Sequence, residues 1–404
     1  MPRFPTESFN NHAGSAVFLL RRGVFQSKPH PGMRYFRQCG SAGRKSRAGH
    51  RPKAVNYYDA GEMKVLCLWH ATQQEVENIK TALPAGTEVV VPAPADYLSR
   101  YETTYADLEP HARDADAFIG WTVPTGILEI AEKLKILSWL HVGVDDLRQI
   151  GAFSLLAQRE SKLANIAGAN AIAIAEQGMM LMLALAKNAI IKHQMAVDGR
   201  SSFPVWGDES RSAMLQGRTV GVIGVGGIGG RVAKHAKAFD MNVLGVRRNK
   251  EQKAEGVDTM YGPEELHAVL TQSDYVVLAA PNTRETTDLF GRAELAAMKP
   301  SAFLVNVGRA ATIQERPLYE ALTSGRLRGF GTDVWWRYEF GRTFPIGWGS
   351  RLEIQRLPNV ICSTREAHNA DDVLERSIEW GIQNLIEFAA GQQLTREVNL
   401  EEGY

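Results

Sequence analysis

Three glycines follow a short apolar segment at a spacing that suits a phosphate-binding turn. Residues Thr219–Ile223 predict a β-strand, and Gly224, Gly226 and Gly229 come directly after it in a G-x-G-x-x-G pattern. Such a turn lets the backbone approach a pyrophosphate, and the first N–H groups of the following helix then face negative charge. Small residues also serve close packing of a helix on a sheet. The strand, turn and helix together favour dinucleotide binding.

Two arginines stand where a second strand ends. Arg247 lies 23 positions after Gly224, and Arg248 follows it. A carboxylate usually occupies this place and binds the ribose hydroxyls of NAD, whereas an arginine suits the 2′-phosphate of NADP. We therefore predict NADP as the preferred cofactor and NAD as the alternative. The competing interpretation is that both arginines are solvated surface charges.

Alternating strand and helix patterns frame this unit. One series runs from Met63 to about Leu140, and a second begins at Thr219, which predicts an α/β fold with parallel sheets. A long apolar helix is predicted from Asn170 to about Lys192 between the two series, and an amphipathic helix from Asp371 to Ala390 closes the chain. We expect two lobes with the active site in the cleft between them.

Composition limits the class of partner. The chain has 404 residues, 44% of them hydrophobic and 23% charged, with a formal net charge of +1. This balance argues against nucleic acid as a partner and favours small molecules. The apolar stretch Ala171–Ala186 is too short and too polar to span a membrane, so we expect it at a domain or subunit interface. Three cysteines without metal or disulfide spacing fit a reducing, cytoplasmic setting with no metal site.

Residues 1–62 differ from the rest because basic residues greatly outnumber acidic ones. The segment is typical of an organelle transit peptide, which would place the protein in an organelle matrix, but also of translated upstream sequence or a disordered basic tail. We expect the folded protein to begin at the strand that starts with Met63.

Three further motifs extend the pattern beyond the glycine turn. They are L-V-N-V-G-R at Leu304–Arg309, G-T-D-V-W at Gly331–Trp335 and L-P-N-V-I at Leu357–Ile361. In this order, the motifs give the chain a resemblance to the D-isomer-specific 2-hydroxyacid dehydrogenases, from Met63 to about Val398. The family interconverts 2-keto and 2-hydroxy acids with NAD(P).

The resemblance implies two Rossmann-like parallel-sheet domains. A dinucleotide-binding domain over residues 169–366 would be inserted in a smaller, flavodoxin-like substrate domain made of residues 63–168 and 367–404. It also implies a homodimer built around the long linking helix.

Carried over to this chain, the family's cofactor contacts fall on the glycine turn and on the ends of the later strands. Beside Gly224, Gly226, Gly229, Arg247 and Arg248 they are Gly227, Ile228, Ala280, Pro281, Thr286, Val307, Gly308, Arg309 and Asp333.

Arg309 also matches the family's substrate arginine. A guanidinium fork can bind the carboxylate of a 2-keto acid and polarise its carbonyl, so we predict Arg309 as catalytic and substrate-binding. The alternative is an ordinary surface charge. On the other lobe, Val142 and Gly143 match the loop whose N–H groups hold the substrate carboxylate, although Gly143 could be a simple turn glycine.

The family's acid/base pair is changed in this chain. Tyr338 stands five residues past Asp333, where the family has a glutamate, and Thr364 and Arg365 replace the usual catalytic histidine. Arginine stays protonated and cannot exchange a proton, so we place Arg365 in the substrate pocket, where it favours a dianionic substrate or a phosphate.

Two histidines are candidate substitutes for the proton donor. His368 is the first choice, with Glu339 as its support, and His141 beside the carboxylate loop is the second. Our prediction is thus an NADP-preferring 2-hydroxyacid dehydrogenase with an altered acid/base group. The alternative is a dinucleotide-binding sensor or assembly protein with reduced or lost catalysis. A methyltransferase with a similar glycine loop would not require Arg309 or Asp333.

Overall fold

The computed structural model describes residues 63–97, 99–200, 210–339, 346–347 and 349–403. They belong to one compact unit, Lys53–Tyr404. The basic segment 1–62, with its predicted targeting role, lies outside the described residues.

The first lobe is a five-stranded parallel sheet in the order β2-β1-β3-β4-β5. Its strands are β1 (Lys64–Cys67), β2 (Glu88–Val90), β3 (Ala117–Gly120), β4 (Ile136–Trp139) and β5 (Lys162–Ala164). Its helices are α1 (Gln73–Ala82), α2 (Tyr105–Ala112), α3 (Ile127–Ile130), α4 (Asp145–Gln149) and α5 (Ala152–Gln158). Apolar runs such as β3 are buried along their whole length, as expected for a strand with helices on both faces.

The predicted single helix from Asn170 to Lys192 is wrong, because the structure has two helices there. They are α6 (Ala171–Ala186) and α7 (Ala189–Val197), bent by 61°. Asn188 takes a left-handed backbone conformation with φ of 50°, which asparagine tolerates better than most residues. The segment before the second sheet fixes the break, since Ala213 donates its N–H to Ala186 and Asn188 Nδ2 donates to the Arg211 carbonyl.

No single helix among the described residues is both long enough and apolar enough to cross a membrane. Only α6 and α7 counted together reach that length and composition.

The second lobe is a seven-stranded parallel sheet. Its strands are β6 (Thr219–Ile223), β7 (Asn242–Val246), β8 (Thr259–Tyr261), β9 (Tyr275–Leu278), β10 (Phe303–Asn306), β11 (Gly329–Thr332) and β14 (Val360–Cys362), with the two-stranded β12 (Tyr338–Glu339) and β13 (Ile346–Gly347) outside it. The helices are α8 (Gly227–Ala238), α9 (Leu266–Gln272), α10 (Arg292–Ala297) and α11 (Glu315–Thr323). The order β14-β11-β10-β9-β6-β7-β8 reverses between β6 and β9. Ligands of doubly wound sheets bind at such a reversal.

The last helix, α12 (Val373–Ala389), returns to the first lobe. Ile378, Ile382 and Leu385 join the same hydrophobic core as β1 and β3, and Ser138 on β4 donates a hydrogen bond to the Gly381 carbonyl. The predicted fold class, with two parallel α/β sheets, is confirmed. The exact domain limits at 168/169 and 366/367 stay a prediction.

Candidate functional site

The glycine turn lies where β6 and β9 end side by side. Gly224 has a φ of 95°, and a Cβ there would stand 2.6 Å from the Ala280 backbone nitrogen. Any other residue at this position would destabilise the fold, because a positive φ strains an L-residue and the neighbouring backbone cannot move aside. Ala280 also limits Gly308, whose Cβ would come within 2.5 Å of the Ala280 carbonyl oxygen. The strand ends therefore form a narrow backbone edge.

The start of α8 leaves room on its outer side. A methyl group at Gly229 would overlap the Gly224 carbonyl oxygen, so the helix packs directly onto the turn. Gly226, by contrast, has no atom within 4 Å of an ideal Cβ. A closely packed inner face and an open outer face at a helix N-terminus fit a pyrophosphate. Gly224, Gly226, Gly227 and Ile228 would hold it through their backbone.

Arg247 is next to this turn, as predicted. It follows β7 directly, and the Val246 carbonyl before it accepts hydrogen bonds from the N–H groups of Gly224 and Val225. The Arg247 guanidinium donates to Gln252 Oε1 at 2.7 Å, which fixes its direction. Arg248 is more exposed. The structure thus places the backbone of Arg247 beside the turn, and the binding of a ribose 2′-phosphate by its guanidinium stays a prediction.

The loops after β9 and β10 are held by their own side chains. Thr286 Oγ1 donates to the Pro281 carbonyl at 2.6 Å. Asn306 was not singled out from the sequence, yet its amide binds both ends of the turn, accepting from the Gly308 N–H and donating to the Arg309 carbonyl, each at 3.0 Å. This buried amide fixes the backbone of Val307, Gly308 and Arg309, three of the predicted contact residues.

Arg309 extends from the second lobe and meets the first lobe at the predicted carboxylate loop. Its Nε donates to Asp145 Oδ2 at 2.9 Å, and its Nη1 donates to the Gly308 carbonyl at 2.9 Å. Its Nη2 lies against Gly143 so closely that a side chain on Gly143 would overlap it. The structure thus brings together Arg309 and Gly143, which are far apart in the sequence.

The loop that carries Val142 and Gly143 is fixed by two side chains of the first lobe. Asn165 Nδ2 donates to the Val142 carbonyl at 2.8 Å, and the Trp139 indole donates to the Gly143 carbonyl at 3.0 Å. These hydrogen bonds fix the backbone of the loop, and the binding of a substrate carboxylate by its N–H groups stays a prediction.

Asp333 serves as an anchor for the loop after β14. Its carboxylate accepts hydrogen bonds from Ser363 Oγ at 2.5 Å, from the Glu366 N–H at 3.0 Å and from the Ala367 N–H at 3.1 Å. Burial raises the pKa of Asp333, and these hydrogen bonds oppose the rise. The predicted contact with nicotinamide stays a prediction, since the carboxylate mainly orders the loop with Arg365 and His368.

His368 lies in this loop with part of its surface open to solvent. Its pKa is lowered from the ordinary value of 6.5, first because the surrounding protein removes water and then because of the positive charge of Arg365. Glu366 and Asp333 act in the opposite direction. Arg365 has a φ of 66°, a conformation that a non-glycine residue takes only when the surrounding loop imposes it.

His141 faces the same groups from the first lobe. Its Nε2 donates to the Trp121 carbonyl at 3.1 Å, so the ring is held against β3. Burial lowers the pKa of His141 well below its ordinary value, and Arg365, His368 and Arg309 lower it further. His141 is therefore uncharged at neutral pH. The two candidate histidines and both arginines share one electrostatic neighbourhood.

The backbone of Tyr338 and Glu339 forms β12, but their side chains lie outside the described atoms. The predicted effect of Tyr338 and the predicted support of His368 by Glu339 stay predictions.

Sequence reasoning missed Asp145. This carboxylate accepts from Arg309 and, through Oδ1, from Asn282 Nδ2 at 3.2 Å. Both partners belong to the other lobe, more than 130 residues away along the chain. The only local signal was its place two residues after Gly143.

The two sheets and this site define a two-lobed dinucleotide-binding protein whose cofactor edge lies beside Arg309 and the loop of Gly143. Comparison with known proteins agrees. Residues 179–365 match the family model described as "D-isomer specific 2-hydroxyacid dehydrogenase, NAD binding domain". The predicted nicotinamide dinucleotide class of cofactor is thereby confirmed.

Curated relatives and solved structures point to the same family. D-3-phosphoglycerate dehydrogenase of Methanocaldococcus jannaschii is 34% identical over 57% of this chain, but the match spans only 43% of that protein. Glyoxylate reductase of Korarchaeum cryptofilum is 29% identical over 72% of this chain and 84% of its own length.

A D-isomer-specific 2-hydroxyacid dehydrogenase family protein from Aeromonas salmonicida superposes with a TM-score of 0.68 at 26% identity, covering 84% of this chain and 99% of that structure. The family model and these relatives together support the D-isomer-specific 2-hydroxyacid dehydrogenase family for this chain.

Proposed function

We propose that this protein is an NAD(P)-dependent oxidoreductase that interconverts a 2-keto acid and a 2-hydroxy acid. The observation that carries the proposal is the convergence of Arg309 and the Gly143 loop beside the dinucleotide edge at Gly224, Ala280 and Gly308. A surface arginine would not be fixed by a charge-assisted hydrogen bond across the cleft, to Asp145, and by a second hydrogen bond to the Gly308 carbonyl of its own lobe.

Residues of both lobes take part in binding the substrate. The N–H groups of the Gly143 loop and the Arg309 guanidinium bind the substrate carboxylate, and Arg309 also polarises the 2-keto oxygen. The cofactor supplies or accepts the hydride when it is bound. Because Gly308 has no side chain, the backbone there packs closely against Ala280 at the strand ends. The nicotinamide ring would lie against this backbone.

We assign proton transfer to His368, with His141 as the second candidate. His368 is partly open to solvent and can exchange its proton with water, whereas His141 is held against the Trp121 carbonyl and stays neutral. Asp333 lies near His368 and favours its protonated form. Arg365 in the same loop would add binding for a second anionic group on the substrate.

NADP is the proposed preferred cofactor. The support is the position of Arg247 beside the glycine turn, with Gln252 holding its guanidinium. NAD remains the alternative, because an arginine can also stack on an adenine ring.

The test is oxidation of NADPH and NADH by the chain from Met63, with glyoxylate, hydroxypyruvate, pyruvate and a dicarboxylic keto acid. We expect turnover with at least one, and a loss of about 10³-fold in kcat/KM for Arg309→Ala, because a preorganised donor to a developing oxyanion contributes on that scale. Arg316→Ala, an exposed charge on α11, is the control. Tight dinucleotide binding without turnover of any of these acids would refute the proposed enzymatic activity.

A second candidate function is a dinucleotide sensor or assembly protein with reduced catalysis. One observation favours it: the loop after β14 carries Arg365 in the place of the family's histidine, and an arginine cannot release a proton. The same turnover experiment separates the two candidates.

The predicted homodimer also belongs to this proposal. An apolar groove of about 760 Å³ lies between α6, α7 and α8, lined in part by Met180, Leu183 and Phe239. Met180 and Phe239 are 45% and 39% exposed, which is unusual for large apolar side chains that share a single groove. A second copy of the chain is the proposed occupant.

A further inference from the structure

Asp145 holds the lobes together at the point where the substrate would bind. It is the first residue of α4 in the first lobe, and its two carboxylate oxygens go to two residues of the second lobe. Oδ2 accepts from Arg309 Nε at 2.9 Å, and Oδ1 accepts from Asn282 Nδ2 at 3.2 Å. One carboxylate therefore spans the cleft with both oxygens.

The contact also determines how Arg309 is presented. Asp145 occupies the Nε side of the guanidinium, and the Gly308 carbonyl accepts from Nη1. A planar group fixed at these two positions has its plane fixed, and its Nη2 then lies against Gly143. The Nη2 group shares one edge of the guanidinium with Nε, and its second N–H lies on the opposite edge, away from Asp145.

We infer that Asp145 is a positioning residue, which orients Arg309 toward the substrate carboxylate and couples this orientation to the approach of the two lobes. The inference rests on the proposed function. Asn282 contributes by fixing the second oxygen of Asp145, and Thr287 Oγ1 fixes Asn282 in turn with a hydrogen bond to its Oδ1 at 2.9 Å.

A competing explanation gives Asp145 the opposite effect. A carboxylate on the substrate arginine could imitate the substrate and block it. Removal of Asp145 would then strengthen the binding of substrate analogues, whereas removal of a positioning residue weakens it. The sign of the change decides between the two.

The experiment measures keto-acid kinetics and oxamate binding in the presence of NADPH for the wild type, Asp145→Ala and Asp145→Asn. We expect Asp145→Ala to lower kcat/KM by about 10- to 100-fold with a raised KM, and to weaken oxamate binding by about 10-fold, because a charge-assisted hydrogen bond is lost. Asp145→Asn keeps an acceptor and should fall between the two.

The coupling is measured in a second background. In Arg309→Lys, which lacks the Nε–H fork, the Asp145→Ala change should alter oxamate affinity by less than about 3-fold, because the two residues act as a unit. Glu255→Gln is the matched control, since it removes an exposed carboxylate from an ion pair with Lys234. A merely structural defect would lower the melting temperature and the active fraction while KM and oxamate affinity stayed unchanged.

The outcomes separate this inference from the proposed function. Turnover by the wild type with equal KM and oxamate affinity in Asp145→Ala overturns the inference and leaves the function standing. Absence of turnover overturns the function, and the oxamate measurements then still decide the role of Asp145. Tighter oxamate binding in Asp145→Ala overturns the positioning role in favour of the blocking one.

Discussion

The cofactor edge and the loop after β14 are built on different principles. At the edge, backbone segments pack directly against each other, and a side chain at Gly224 or Gly308 would overlap the backbone of Ala280. In the loop after β14, charged side chains determine the arrangement, since Asp333 anchors a segment with Arg365 and His368. The first region tolerates almost no change of residue type at its glycines. The second depends on side-chain hydrogen bonds to Asp333 rather than on the absence of a side chain.

The loop after β14 gives the sharpest test of this contrast. Replacing His368 by Gln should lower kcat by about 100-fold, in the range for loss of a positioned acid or base, while the affinity for NADPH should stay near the wild-type value.

Its pH profile supplies an independent readout. Because the pKa of His368 is lowered from 6.5, its protonated form is lost as pH rises through a value below 6.5. The kcat/KM for keto-acid reduction in the wild type should therefore fall over that range, and the fall should vanish in His368→Gln. His193→Gln, an exposed histidine on α7, serves as control. An unchanged profile would exclude His368 as the donor and leave His141 as the candidate.

The cofactor edge can be tested with two adjacent glycines of α8. A Cβ at Gly229 would overlap the Gly224 carbonyl, whereas one at Gly230 meets nothing within 4 Å. We expect Gly229→Ala to lower the free energy of unfolding by about 1–3 kcal/mol through overpacking and to weaken NADPH binding.

Gly230→Ala is the matched control for this prediction. It should be neutral or stabilise by about 0.5–1 kcal/mol, because alanine has the better helix propensity. Thermal unfolding and fluorescence titration with NADPH measure both variants. Equal behaviour of the two would contradict the close contact of helix and turn.

The smallest effect is expected from charge at the edge. Arg247→Asp should shift the ratio of kcat/KM for NADPH over NADH toward NADH by about 10-fold, because the 2′-phosphate loses a charge-assisted hydrogen bond and meets a carboxylate instead. Arg316→Asp makes the same charge change on the exposed side of α11. If the ratio of kcat/KM for NADPH over NADH stays constant in Arg247→Asp, the proposed preference for NADP is wrong.

The glycine pattern could be read from the sequence because its cause is local. Strand, turn and helix lie within one short segment, and sterics allow few other residues at Gly224 and Gly229. The pairing of Arg309 with Gly143 was predictable only through the family resemblance.

Asp145 and the break at Asn188 could not be found in this way. Asp145 acquires its role from partners in the other lobe, and Asn188 bends the chain because residues 211–213 dock beside it. Neither contact leaves a periodic signal. The sequence predicted the cofactor edge best and the relation between the lobes least.

The hydrogen bond from Gln177 Nε2 on α6 to Ser363 Oγ, at 2.9 Å, has a mechanical consequence. Ser363 in turn donates to Asp333, so the loop after β14 is tied to β11 and to α6 at once. Any rotation of one lobe against the other would therefore carry Arg365 with the second lobe and change its distance from His141. Opening and closing would change the electric field at that imidazole without moving Arg365 within its own lobe.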